Sequence, residues 1–238
     1  MFDSTTRWVS RWPVASALAG VVALVLLLLL PGRETTARAP LVGAARVIDG
    51  DTLEISGERV RLEGIDAPET AQTCSRPRGS SWACGRDSTA ALERLLGKQK
   101  IACEDHGTDK YGRMLGVCFL GARDINAWMV HEGLAWAFVK YSRSYVHEEA
   151  EARARRIGIW QGEAEPAWDF RAKRWTGAEE TAPQGCAIKG NVSANGHIYH
   201  MPWSPWYGKV KVEPLKGEQW FCSEADAAKA GFRPVQSH

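Results

Sequence analysis

The chain has 238 residues, room for one domain of ordinary size and a smaller module. Its 45% hydrophobic and 24% charged content excludes a wholly disordered chain. A net charge of +2 is too mild to mark a nucleic-acid binder by itself, so any electrostatic footprint for such a ligand must be local.

Residues 1–13 carry Arg7 and Arg11 and read as a cytoplasmic segment ahead of an apolar run from Val14 to Leu30. Residues 14–30, at 1.5 Å each, reach about 26 Å, close to the roughly 30 Å of a hydrocarbon core. Arginines on the amino side favour keeping that end inside. A transmembrane anchor over 14–30 is therefore expected. A cleaved signal peptide fits the same residues, with Ala37-Arg38-Ala39 as a small-residue cleavage site. In the first case the rest of the chain is tethered at the cell membrane and periplasmic. In the second it is secreted. Residues 31–40, small and charged, read as a linker.

A folded domain is expected over 41–175. GAARVIDGDTLEI and ERVRLEGI are β-prone and are joined by ISGE, with a glycine at the turn. A cysteine-bracketed polar loop follows, then a helix from about Ser88 to Leu96, where Ala91, Leu92, Leu95 and Leu96 form the apolar stripe. KIACED and RMLGVCFL read as a second strand pair. Asp124 is placed to cap a helix through DINAWMVHEG, LAWAF is a short strand, and VHEEAEARARRIGIW is a third helix. Five strands interleaved with three helices predict an α+β fold, mainly a small β-barrel with helices packed on it. TGAEETAPQG marks a linker over 176–185. The module over 186–238 has short aromatic β-prone runs (HIYH, KVKVEPL, EQWFC) and one short helix.

The six cysteines are even in number and contain no CxxC pair. Each consecutive two bracket a local segment, so Cys74–Cys84, Cys103–Cys118 and Cys186–Cys222 are the expected disulfides, which need an oxidising compartment. Six reduced, buried cysteines are the alternative.

Three segments concentrate the groups that phosphodiester hydrolysis needs. VIDGDT supplies Asp49 and Asp51. RLEGIDAPE supplies Arg61, Asp66 and, after Pro68, Glu69. DKYGR supplies Lys110, Tyr111 and Arg113. A hard cation held by carboxylates can clamp one phosphoryl oxygen, arginines can hold others bidentately, and a spare carboxylate can take a proton from water. Singly these segments read as turns; their order and spacing together carry the signal.

On those segments, and on the late helix ending in GIW, the stretch from about Ala44 to Trp160 resembles the thermonuclease family of staphylococcal-nuclease-like domains. The resemblance implies a five-stranded OB-fold barrel with about three helices, and calcium-dependent hydrolysis of DNA and RNA to 3′-phosphate ends. It implies Asp51, Asp66 and the backbone carbonyl of Ala67 as calcium ligands, and Glu69 as the general base or the group orienting the water. Arg61 and Arg113 would be the catalytic arginines on the phosphate. Lys110, Tyr111 and Tyr141 would bind substrate. Val139 departs from the pattern, standing where a second pocket tyrosine is expected, and the Cys74–Cys84 segment is an insertion close after Glu69. A non-catalytic barrel in the cell envelope that binds nucleic acid or protein is the competing reading.

The last module resembles small C-terminal modules of exported bacterial proteins, thermonuclease homologues among them. Cys186 and Cys222 admit either a disulfide or, with His197 and His200, a zinc site. Its aromatic residues, Trp203, Trp206, Tyr207, Trp220 and Phe221, are expected to build its core, and no function follows from them.

Overall fold

A computed structural model describes residues 38–235. The anchor or signal expected at 14–30 and its flanking segments up to residue 37 lie outside the described residues. Among the described residues, no helix is long and apolar enough to cross a membrane.

Strands β1 (Leu41–Val47), β2 (Thr52–Ile55) and β3 (Glu58–Leu62) form an antiparallel meander. Ile55 pairs directly with Glu58, leaving a two-residue turn in which Ser56 and Gly57 both take positive φ, 52° and 87°. That left-handed pair matches the strands' own twist, and glycine at its second position removes half the strain. After the short strands β4 (Ile65–Asp66), β5 (Cys74–Ser75) and β6 (Ser81–Trp82), the long strands β7 (Lys100–Thr108) and β8 (Met114–Leu120) complete the barrel. β1 pairs with β7, β7 with β8, and β8 closes on β3 in parallel, with Val60 opposite Met114. The result is a closed five-stranded barrel consistent with an OB-fold. Alternate residues point inward, and Leu53, Ile55, Val60, Leu62, Ile101 and Cys118 are buried in one core.

Three helices pack on the barrel. α1 (Cys84–Leu96) starts earlier than the apolar stripe suggested, at the second cysteine of the insertion. α2 (Ile125–His131) is capped as expected, Asp124 accepting the Ala127 N–H at 2.9 Å, and follows the two-residue strand β9 (Arg123–Asp124). α3 (Val146–Arg155) comes after β10 (Trp136–Ala137), which pairs with β4. All three expected disulfides are formed.

A further helix was not legible. α4 (Ala167–Glu179) runs straight through the boundary expected at 175/176, so the segment assigned as linker begins helical. Its first turn packs in a cluster with Trp136 and Ile159, while Trp175, near its end, packs against the C-terminal core. A helix that serves a different core at each end needs no continuous apolar stripe, and this one has none.

The C-terminal sheet has the order β13-β11-β12-β14, from β11 (Ile188–Ser193), β12 (Gly196–His200), β13 (Gln219–Phe221) and β14 (Arg233–Pro234). α5 (Glu224–Lys229) packs beside it, and Ile188, Tyr199, Phe221 and Phe232 form the core. KVKVEPL is no strand. Lys189 Nζ donates to the carbonyls of Tyr207 and Val210 at 3.0 and 2.9 Å, diverting them from a ladder, and Pro214 opens a 3-10 turn. Cys186 and Cys222 are bonded to each other. His197 stacks on Phe232, and His200 is buried with Nε2 2.9 Å from Asn191 Oδ1, so the zinc alternative finds no support in the placement of these side chains.

Candidate active site

The site is assembled where the β1–β2 turn, the end of β3, β4 and the loop after Pro68 meet. Gly50 sits in the turn because nothing larger fits: an added Cβ would lie 2.5 Å from Ser88 Oγ and 2.7 Å from Ala67 Cβ. This close approach brings Asp51 Oδ2 within 2.7 Å of the Ala67 N–H. Its other oxygen, Oδ1, accepts from Arg61 Nη1. Arg61 projects from β3 opposite Thr52, and its Nη2 donates to Asp66 Oδ1 at 2.8 Å. Asp51 and Asp66 are 3% and 0% exposed, so both carboxylates are held inside the protein with a guanidinium between them.

Glu69 is fixed by Gln72, which lies just ahead of the Cys74–Cys84 insertion. Its N–H donates to Gln72 Oε1 at 3.1 Å, and its carbonyl accepts the Gln72 N–H at 2.7 Å. The start of α1 presses against the same carbonyl, where any Cβ on Gly85 would overlap the oxygen. The Cys74–Cys84 disulfide ties the loop to that helix start. Burial pushes the Glu69 carboxyl up to about 7, against the opposing pull of the Arg171 guanidinium. Asp49 beside it is also raised by burial, opposed by Arg61 and Arg113.

Arg113 reaches the same place from the turn before β8, beside β3 in the parallel pair. Asp109 holds it: Nε and Nη2 both lie 2.8 Å from Asp109 Oδ2, while Asp109 Oδ1 accepts the N–H groups of Tyr111 and Arg113 at 2.9 and 3.0 Å. The Lys110 ammonium lies 4.7 Å from the Tyr111 ring centre. A cavity of about 670 Å³ joins Arg61, Glu69, Lys110, Tyr111, Arg113 and Tyr141, with Tyr199 and Trp203 of the C-terminal module on another wall. Tyr141 is 70% exposed at the rim, edge-on to Phe138 at 4.9 Å, and Val139 beside it points largely to solvent. The expected residues thus converge, with the two aspartates buried and the others lining one cavity.

One residue of the site went unread. Arg171 of α4 donates from Nη1 to Asp66 Oδ1 and Glu69 Oε1 at 3.0 and 2.8 Å, and from Nη2 to Asp66 Oδ2 at 2.7 Å. Burial opposes its charge, but Asp66 and then Glu69 more than offset that and raise its pKa. It lies 102 residues from Glu69 on a helix without an apolar stripe. The one local cue was Pro166 directly before a possible first turn.

The donor set suits a hard divalent cation. Asp51, Asp66 and the adjacent Ala67 carbonyl offer only oxygen, and the two carboxylates are buried and already bridged by one cationic group. Among the described residues, no group of three or more His, Cys, Asp or Glu side chains is arranged to hold a metal. Two carboxylates and a carbonyl would hold such a cation and would leave its other positions to water and substrate.

A closed barrel with paired buried carboxylates, hydrogen-bonded to an arginine of a cavity that a third carboxylate and further arginines line, defines a phosphodiester-hydrolysing class of protein. Residues 59–162 match the family described as Staphylococcal nuclease homologue, and residues 172–234 match ArfC. The chain is 37% identical over 164 residues to the succinoglycan biosynthesis protein ExoI of Rhizobium meliloti, covering 68% of this chain and 86% of that one. It is 33% identical over 174 residues to the micrococcal nuclease of Shigella flexneri, covering 66% and 92% respectively. Protein ParB of Escherichia coli is 34% identical over 144 residues, covering 53% and 76%. The chain belongs to the staphylococcal nuclease homologue family.

Proposed function

We propose that this nuclease hydrolyses DNA and RNA with calcium as its cation, leaving 3′-phosphate ends, and that it works outside the cytoplasm on a membrane tether. The observation that carries the catalytic part is the convergence of Asp51, Asp66, Arg61 and Glu69 through direct hydrogen bonds and a shared loop, with Arg113 lining the same cavity.

Asp51, Asp66 and the Ala67 carbonyl would hold the cation. When bound, it supplies Lewis-acid polarisation and charge neutralisation at a phosphoryl oxygen. Calcium suits this loosely specified oxygen set better than magnesium, which demands near-ideal octahedral geometry. Arg61 and Arg113 have the planar forks to hold phosphoryl oxygens bidentately, and their contacts strengthen as charge grows on those oxygens. Glu69, with a proton affinity near neutrality, accepts the proton of the water that attacks phosphorus as the 5′-oxygen leaves. Lys110 and Tyr111 meet a neighbouring phosphate, and Tyr141 offers a ring to a base.

Three disulfides among the described residues support an oxidising compartment. The Arg-flanked apolar run at 14–30 supports a tether.

The test uses the full chain in detergent with single-stranded DNA, duplex DNA and RNA, each with calcium, magnesium or chelator. Cleavage that requires calcium and ends in 3′-phosphates is expected. Undiminished cleavage in excess chelator would remove the cation from the mechanism. Tight binding without cleavage would make the barrel a binding module.

A further inference from the structure

Arg171 lies outside the residues matched by the nuclease family, yet it makes three hydrogen bonds to two residues of the site. Its position is built. Gln72, whose Oε1 holds the Glu69 N–H, donates from Nε2 to the Glu165 carbonyl at 2.6 Å, and the Ser75 N–H donates to the Glu163 carbonyl at 3.0 Å. These bonds seat the chain just before α4 against the loop that carries Glu69. Ala167 is fully buried, and Trp168 packs edge-on to Trp136 at 6.1 Å and stacks on Phe138 at 5.4 Å. Residues four apart share a helix face, so burying Ala167 directs Arg171 toward the same side. A side chain on a helix anchored this way is not a passing surface contact.

The consequence lies at Asp66. Its Oδ1 accepts from Arg61 and Arg171, and its Oδ2 accepts from Arg171. With two donors on Oδ1 and one on Oδ2, a single lone pair of Asp66 is open, so a cation there either sits beside a guanidinium that repels it or displaces one of these bonds. Arg171 Nη1 carries two hydrogens, enough to serve Asp66 Oδ1 and Glu69 Oε1 at once. We propose that Arg171 is a positioning residue that orients Glu69 and competes with the divalent cation for Asp66. The helix joining the barrel to the C-terminal module thereby sets the cation affinity of the site. This inference rests on the cation reading given above.

The test measures calcium and manganese binding to the full chain by titration calorimetry, for wild type, Arg171→Met and Arg171→Lys. Met removes the charge and keeps an unbranched stem, and is expected to tighten cation binding by about tenfold or more. Lys keeps the charge but not the fork, and is expected to fall between the two. The melting temperature in chelator should drop for Arg171→Met, which leaves a buried carboxylate short of a partner, and saturating cation should restore it. Should Arg171→Met not fold in chelator, the Lys variant carries the comparison alone. Equal or weaker cation binding in the variants overturns the competition while leaving the cation reading intact. No cation binding by any of the three chains overturns the cation reading itself and the inference with it.

Discussion

Asp51 Oδ2 accepts the backbone N–H of Ala67 at 2.7 Å, so one expected ligand holds the backbone beside the other two. The carboxylate therefore has two roles, charge and scaffold, which substitution can separate. Asp51→Asn keeps an oxygen for the Ala67 N–H and is expected to lose cation affinity and turnover with little change in melting temperature. Asp51→Ala also leaves that buried donor unpaired, at a cost of about 1–3 kcal/mol in denaturant unfolding. Equal stability of the two variants would show that the bond to Ala67 contributes nothing.

Glu69→Gln removes the proton acceptor without adding bulk. Turnover should fall by about 10²- to 10⁴-fold with the fold intact, and Km should change little. In wild type, kcat/KM should rise with pH through a limb at or below about 7, and that limb should vanish in the variant. The same group has a stability signature. Its folded-state value lies above its ordinary 4.5, so the folded protein binds the extra proton. Its contribution is then favourable below pH 4.5 and is lost as pH rises through 7. A pH–rate profile identical in variant and wild type would assign the limb to another group.

Asp109 was not among the expected site residues but clasps Arg113 through Nε and Nη2. Asp109→Ala should free the guanidinium and lower kcat by about tenfold, the loss expected from a mispositioned transition-state contact. Steady-state kinetics on one oligonucleotide reads this directly. A rise in KM with kcat unchanged would make the Asp109–Arg113 pair a ground-state binding device.

His200 is buried in the C-terminal module, and burial, with Lys189 nearby, lowers its pKa from 6.5 to about 4. The unfolded chain therefore binds a proton that the folded module refuses. Stability should fall as pH drops from 6.5 toward 4, by on the order of 2–3 kcal/mol, and then level off with respect to this group. His200→Gln retains a donor for Asn191 and does not titrate. Urea unfolding followed by tryptophan fluorescence at pH 7, 5.5 and 4 should show a shallower slope for the variant, and an unchanged slope would place the acid sensitivity elsewhere.

The legible parts of this protein were those encoded over short spans. β-prone runs marked the barrel strands, the glycine in ISGE marked their turn, and Asp124 marked a helix start, because each depends on neighbours a few residues away. The gathering of the candidate site was legible for a related reason: Asp51, Arg61, Asp66 and Glu69 lie within one hairpin and the loop after it, so their spacing nearly encodes their meeting. The tertiary structure alone decided the rest. The 74–84 segment read only as an insertion close after Glu69; in the fold its disulfide ties the loop to the start of α1, which together with Gln72 backs Glu69. α4 was invisible because its two ends answer to two different cores, which erases the periodicity a helix usually displays. Arg171 reaches Asp66 across 105 residues of sequence. No local pattern carries such a contact, since it exists only once the barrel and α4 have packed and burial makes an unpaired carboxylate too costly to leave alone.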